Sequence, residues 1–290
     1  MEFLTKNGLV LPKRTPGSHK GENGKVLVVA GSEDYPGAAI LSSIAVLRSG
    51  ADLVKVIAPS RVAWAINAYS PDIITKKLKG NFFNNSHLKI VESELRNYDV
   101  LLIGNGIGLR KESVDFCKKA VRMTKKLKVI DADAIKSISV DDADNSILTP
   151  HLKELEYFFS NSGIAKKRTM EITNEKNVGL KSKLIQETSR KFLEKNNIIL
   201  LKGRIDTIIS GEKILYNKTG NSGMTKGGTG DVLAGLCAGF LSQSKDLLQS
   251  AVNAAYINGM IGDILLKKKK GFSYIASDMV EEIQKLEPIS

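Results

Sequence analysis

The sequence predicts an α/β fold with a mainly parallel central sheet and helices on both faces. Two observations carry that expectation: short, uniformly apolar runs alternate with longer helical segments, and each run ends in a loop with glycine or small polar residues. Uniformly apolar strands are those buried on both faces, as in a parallel sheet covered by crossover helices. In such sheets ligands bind outside the C-terminal ends of the strands, so those loops are where a site is expected.

After an irregular N-terminal segment through Gly24, residues 25–30 read as a buried strand. A loop with Gly31, Pro36 and Gly37 leads to a helix over 38–48 and a second strand over 53–57. The pattern repeats with a strand at 100–103, a helix at 112–125 and strands at 128–130 and 146–148. A strand at 198–201 precedes two short extended segments, 207–209 and 213–216, which read as a hairpin around Gly211. Beyond Asp231 the chain is mainly helical, with helices at 232–241, 247–266 and 278–286. Residues 81–87 read as an exposed loop. No repeat or linker interrupts the 290 residues, so a single domain over 1–290 is expected.

The 42% hydrophobic content supports an ordinary globular core. No apolar run approaches the roughly 20 residues of a membrane helix, and the N-terminus lacks a secretion signal, so a soluble, cytoplasmic protein is expected. Cys117 and Cys237 lie in helical segments without metal-ligand spacing and read as unpaired thiols. The net charge of +12 comes from dispersed lysines, with the densest run, Lys267 to Lys270, at a helix end. Without a recognisable module or aromatic platform, nucleic acid is not the expected partner, and the basic field suits an anionic small molecule.

The most informative segment is Lys226-Gly227-Gly228-Thr229-Gly230-Asp231, running directly into a helix. Glycines let backbone crowd a ligand, and the free N–H groups of a helix start favour anionic oxygens. A carboxylate beside such a cradle would repel phosphate unless it has work to do. Asp231 is therefore read as a general base that deprotonates a hydroxyl attacking phosphorus, the alternative being a helix cap.

Separated segments together resemble the ribokinase-like superfamily and, within it, the NAD(P)H-hydrate dehydratases. They are Ser18-His19-Lys20-Gly21, Ala30-Gly31-Ser32 with Tyr35-Pro36-Gly37-Ala38-Ala39, Leu47-Arg48-Ser49-Gly50-Ala51 and Gly104-Asn105-Gly106-Ile107-Gly108. Asp131-Ala132-Asp133-Ala134, Leu148-Thr149-Pro150-His151 with Glu154, Leu200-Leu201-Lys202-Gly203, Asn217-Lys218-Thr219-Gly220-Asn221 and Lys226 to Gly235 complete the set. Asn105 departs from the proline more common between those two glycines. The epimerase domain fused to many relatives is absent from the sequence, so a separate epimerase is expected.

The resemblance implies a ribokinase-like three-layer sandwich. It also implies dehydration of the (S)-epimer of C6-hydrated NADH or NADPH, with a nucleotide consumed: ADP giving AMP and phosphate in bacterial and archaeal members, ATP in eukaryotic ones. Phosphorylation turns the hydrate's hydroxyl into a leaving group that the ring nitrogen's electrons expel. Asp231 would take the hydroxyl proton, while the N–H groups of Gly228, Thr229 and Gly230 steady the phosphoryl oxygens. Family correspondence assigns Lys202, Gly203, Arg204, Ile205 and Asp206 to the AMP portion, with Asn221, Lys226 and Gly230 also at the nucleotide. It assigns Ala38, Ala39, Gly104, Gly106, Gly108 and His151 to the hydrate. On residue chemistry alone, Lys202 reads equally as a solvated lysine, the glycines as strand-to-helix turns, and His151 as a helix start. Asp131 and Asp133 follow a strand and stay outside the catalytic set. Mg2+ is expected with the nucleotide, its ligands unassigned, and a homotetramer is implied. A small-molecule kinase acting on a vitamin alcohol is the alternative reading.

Overall fold

The computed structural model describes residues 1–286. Its strands are β1 (Glu2–Phe3), β2 (Lys25–Val29), β3 (Leu53–Pro59), β4 (Ile74–Leu78), β5 (Val100–Ile103), β6 (Leu127–Ile130), β7 (Ser146–Leu148), β8 (Asn197–Leu201), β9 (Asp206–Ile209) and β10 (Ile214–Asn217). They form one sheet in the order β1-β10-β9-β8-β7-β6-β5-β2-β3-β4. Only β9 runs against its neighbours, pairing antiparallel with β8 and β10, while the remaining pairs are parallel. The β9–β10 hairpin is the one expected around Gly211.

The helices are α1 (Pro36–Arg48), α2 (Ser60–Tyr69), α3 (Leu88–Leu95), α4 (Lys111–Arg122), α5 (Ala132–Ile135), α6 (Leu152–Asn161), α7 (Lys166–Asn174), α8 (Val178–Thr188), α9 (Arg190–Leu193), α10 (Thr229–Ser244), α11 (Leu247–Lys268) and α12 (Ala276–Ile283). They form two layers, because successive strand residues point to opposite faces. Val26, Val28, Val100 and Leu102 pack with α1, α2, α10, α11 and α12 in one core. Leu27, Val29, Leu101 and Ile103 pack on the other face with Phe116, Phe158, Ile185 and Phe192. The result is the three-layer sandwich.

One contact between helices fixes the geometry of the site. Gly235 and Gly239 of α10 face α1, and an added Cβ would lie 2.3 Å from the Ser42 carbonyl oxygen or 1.9 Å from Ser49 Oγ. The two backbones touch because neither position carries a side chain. Contacts advance in step along both helices, so α1 and α10 run parallel and begin at the same edge of the sheet.

Two expectations need correction. Residues 81–87 are not an exposed loop, since Phe83 and His87 are buried. Phe83 stacks on Phe116 at a centroid separation of 5.1 Å, and its carbonyl accepts from Ser113 Oγ. Aromatic burial overrides a locally polar composition. The N-terminal segment is not wholly irregular, because Glu2–Phe3 adds an outer strand beside β10. Among the described residues no helix is long and apolar enough to cross a membrane. Cys117 and Cys237 are free and buried, and burial pushes both thiols well above their ordinary range.

Candidate active site

The C-terminal ends of β8, β7, β6, β5 and β2 lie side by side, and the chain leaves them at Lys202, Thr149, Asp131, Gly104 and Ala30. Four of these five exits lead into one polar network. Asn105, fully buried, donates from Nδ2 to Asp131 Oδ2 at 2.8 Å and to Asp231 Oδ1 at 2.7 Å. Asp131 Oδ1 accepts from Thr149 Oγ1 at 2.6 Å and Lys202 Nζ at 3.1 Å. Glu154 Oε2 lies 3.6 Å from the same ammonium. Burial disfavours the charge on Lys202, but Asp131 and Glu154 outweigh it and hold the ammonium above its ordinary range.

Asp231 sits in the first turn of α10, at the edge of this network. Burial, reinforced by the negative charge of Asp131, pushes its carboxyl up to about 7, against the opposing pull of the Asn105 hydrogen bond and Lys202. A carboxylate poised near neutrality is suited to accept and return a proton.

The backbone around it is shaped by two glycines. Gly104 has φ +125°, and an added Cβ would lie 1.9 Å from the Asp131 carbonyl oxygen, so the β5 exit can pass this close to β6 only without a side chain. Gly228 has φ +93° and serves as N-cap of α10 with no side chain capping the helix. The N–H groups of the first turn are therefore left for a ligand. The Thr229 hydroxyl donates to the carbonyls of Met224 and Lys226, which turns it into the loop, so this residue offers its backbone. A Cβ on Gly230 would be 3.4 Å from Lys202 Nζ, which places the expected lysine directly beside the glycine loop.

The other expected residues divide into those at the cleft and those that build it. Pro36 opens α1 without a side-chain cap, so Ala38 presents a first-turn amide, while the Ala39 N–H falls where the first intrahelical bond to the Tyr35 carbonyl forms. Ala39 is fully buried, and its side chain belongs to the core. An added Cβ on Gly106 would be 2.9 Å from that of Ala38, which joins the α1 start to the glycine loop. The Gly108 N–H donates to Asp133 Oδ2 at 2.9 Å, so Asp133 organises this loop. His151 forms a capping box with Glu154: its Nδ1 accepts from the Glu154 N–H at 3.2 Å, and Glu154 Oε2 accepts from the His151 N–H at 2.9 Å. The helix-start reading of His151 thus holds, while its imidazole remains half-exposed beside Lys202, to which it is bridged in the sheet.

Gly203, Arg204 and Ile205 form the turn between β8 and β9, closed by the Gly203 N–H on Oδ1 of Asp206, the first residue of β9, at 3.0 Å. Burial raises the Asp206 carboxyl to about 6, offset in part by hydrogen bonds from Gly203 and Asn217. Asn221 and Lys226 are engaged within the protein. Asn221 accepts from the Gly223 N–H and Tyr274 hydroxyl and donates to Asp263. Lys226 Nζ donates to the carbonyls of Phe272 and Tyr274, tying the glycine loop to the segment before α12. Sequence reasoning left Asp131 and Asn105 out of the site. Asp131 carried a signal, its position one residue beyond a buried strand, but the bond between Asn105 and Asp231 spans 126 residues and had none.

Among the described residues no group of three or more His, Cys, Asp or Glu side chains is placed to hold a metal ion.

Such a sandwich, with a carboxylate at an uncapped helix start above its parallel strands, defines a protein of the ribokinase-like class. A ribokinase-like superfamily protein from Enterococcus faecalis superposes with a TM-score of 0.81 at 25% identity, covering 98% of this chain and 94% of that one. The family model for NAD(P)H-hydrate dehydratase matches residues 26–285, and the chain belongs to that family. The crystal structure of the ADP/ATP-dependent NAD(P)H-hydrate dehydratase from Bacillus subtilis, co-crystallised with ATP and Mg2+, has a TM-score of 0.77 at 27% identity, with 98% of both chains covered. The ADP-dependent (S)-NAD(P)H-hydrate dehydratase of Cenarchaeum symbiosum is 35% identical over 93% of this chain and 91% of its own length. The bifunctional NAD(P)H-hydrate repair enzyme of Methanothermobacter thermautotrophicus is 38% identical over 95% of this chain, and the match spans 52% of that enzyme. The chain thus spans about half the length of the bifunctional relatives.

Proposed function

We propose that this chain restores NADH and NADPH from the (S)-epimers of their C6 hydrates, using ADP as phosphoryl donor. The observation that carries the reading is Asp231: a carboxyl at about 7, in the first turn of an uncapped helix, within 2.7 Å of Asn105 and adjoining Lys202 through Asp131. In the proposed sequence the carboxylate takes the proton of the C6 hydroxyl as that oxygen attacks the β-phosphorus of ADP. The P–O bond to AMP breaks, and the N–H groups of the α10 start steady the phosphoryl oxygens. The electron pair of the ring nitrogen then expels phosphate from C6, and loss of the C5 proton restores the dihydropyridine. The balance is hydrate plus ADP giving NAD(P)H, AMP and phosphate.

Names of relatives support the donor and substrate: the archaeal proteins from Cenarchaeum symbiosum and Nitrosopumilus maritimus are called ADP-dependent. Lys202 and the turn through Asp206 line the proposed AMP side, the α1 start and the Gly104 loop the hydrate side. Magnesium would arrive with the nucleotide phosphates, a mode suited to an ion that keeps most of its water. The kinase alternative is not favoured by these names. Exposed Trp64, Tyr69 and Ile74 near the outer strand β4 support the homo-oligomer, which sedimentation would measure. The proposal makes the chain cytoplasmic.

The test is to incubate the protein with hydrated NADH or NADPH and ADP or ATP. Recovery of reduced-nicotinamide absorbance with stoichiometric AMP and free phosphate is expected. A stable phosphoester product would establish a kinase instead.

A further inference from the structure

Among the described residues, the Asn105 side chain is the one direct hydrogen-bonded link between the two carboxylates at the heart of the cleft. The carboxamide is fully buried. Both its N–H bonds are used, one on Asp131 Oδ2 at 2.8 Å and one on Asp231 Oδ1 at 2.7 Å. Its Oδ1 has no partner among the described residues. The orientation of the amide is therefore set by the carboxylates alone, since the flipped form would aim a carbonyl oxygen at two anions.

We propose that Asn105 is a positioning residue for the reaction: it fixes the Asp231 carboxylate at the start of α10 and favours its ionised, proton-accepting form beside a second buried carboxylate. This rests on Asp231 being the base of the proposed dehydration. Two negative groups in a buried cleft oppose each other's ionisation, and a donor shared between them lowers that cost. The charges that face Asp231 are Asp131 after β6, Asp133 in α5 and Lys202 after β8, with Glu154 of α6 acting through Lys202. Of the uncharged groups around it, Asn105 alone among the described residues donates a side-chain hydrogen bond to its carboxylate.

The experiment compares wild type with N105A and with N105D, which keeps the shape but, when ionised, has no N–H to donate. The Asp231 carboxyl is titrated by 13C NMR in the protein without substrate, with D231N identifying its resonance. In parallel, kcat for the hydrate is followed from pH 5.5 to 9.5. Loss of a hydrogen bond to a charged group is a roughly ten- to hundredfold effect, so N105A is expected to titrate about one to two pH units higher. Its turnover should fall about ten- to hundredfold below the limb and converge on wild type above it, and N105D should move the limb at least as far. A merely structural role would lower stability or kcat at every pH and leave the midpoint in place. An unmoved or lowered midpoint in whichever of the two variants folds overturns the proposal. The NMR titration decides this even if neither hydrate is turned over, an outcome that would instead remove the functional reading.

Discussion

Replacing Asp231 with asparagine should make the protein more stable while sharply slowing the proposed dehydration. The carboxyl titrates at about 7 in the fold against 3.8 for the free side chain. At about 1.36 kcal/mol per pH unit, its ionisation above pH 7 costs the folded state about 4 kcal/mol. Asparagine keeps the shape without the charge, but it contacts Asn105 less favourably, and water already relieves part of the cost at this partly exposed side chain. A net gain of about 2 to 3 kcal/mol at pH 8.5 is expected. The sign follows from proton counting. Between about pH 4 and 7 the native state holds a proton that the unfolded chain has lost, so wild-type stability falls as pH rises through this window and then levels. The advantage of D231N should therefore be small at pH 4, grow to pH 7 and remain constant above. Urea unfolding followed by far-UV circular dichroism at pH 4.5, 6 and 8.5 measures it. A variant less stable than wild type at pH 8.5, or an offset that does not change with pH, would refute the assignment of Asp231 as a carboxylate held against its preference. Turnover of the hydrate should drop by about two to four orders of magnitude, the usual contribution of a positioned base.

Wild-type kcat should rise with pH through an acidic limb near 7, read from a pH–rate profile with ADP saturating; a limb near 4 would contradict the environment of Asp231. Gly230→Ala should fold normally, because its Cβ meets only Lys202 Nζ at 3.4 Å, and should gain up to about 1 kcal/mol in helix stability while raising the KM for ADP several-fold. Gly104→Ala should by contrast lose about 3 kcal/mol or more, since its Cβ would collide with the Asp131 carbonyl, and thermal unfolding separates the two. Lys202→Met leaves Asp131 and Glu154 facing each other without their cation, and urea titration should show a loss of about 2 to 3 kcal/mol together with a higher pH midpoint for turnover.

The fold was legible wherever strands were buried on both faces. β2, β3, β5, β6 and β8 are dominated by Val, Ile and Leu, and the short β7 shares that character. β4 was not legible, because Ile-Thr-Lys-Lys-Leu lies on the sheet edge and is a strand only through its pairing with β3. The helices α6, α7 and α8 pack on the far face beside polar residues and lack an unbroken apolar signal. In the candidate site, Asp231 stood out in the sequence because the proposed cradle and the proposed base are neighbours in the chain. Its hydrogen-bonding partner is not a neighbour, and Asn105 could be placed only once β5 and α10 were side by side. Lys226, assigned to the nucleotide by family correspondence and otherwise readable as a solvated lysine, has an ammonium that donates to backbone carbonyls 46 and 48 residues away, contacts with no local signal in the sequence.

The contact of α10 with α1 through Gly235 and Gly239 makes the two helix starts parts of a single rigid jaw. One tip of that jaw meets the nucleotide in the proposed reaction, and the other meets the hydrated coenzyme. The span between phosphorus donor and oxygen acceptor in that reaction is then set by main chain locked inside the core and not by the loops above it.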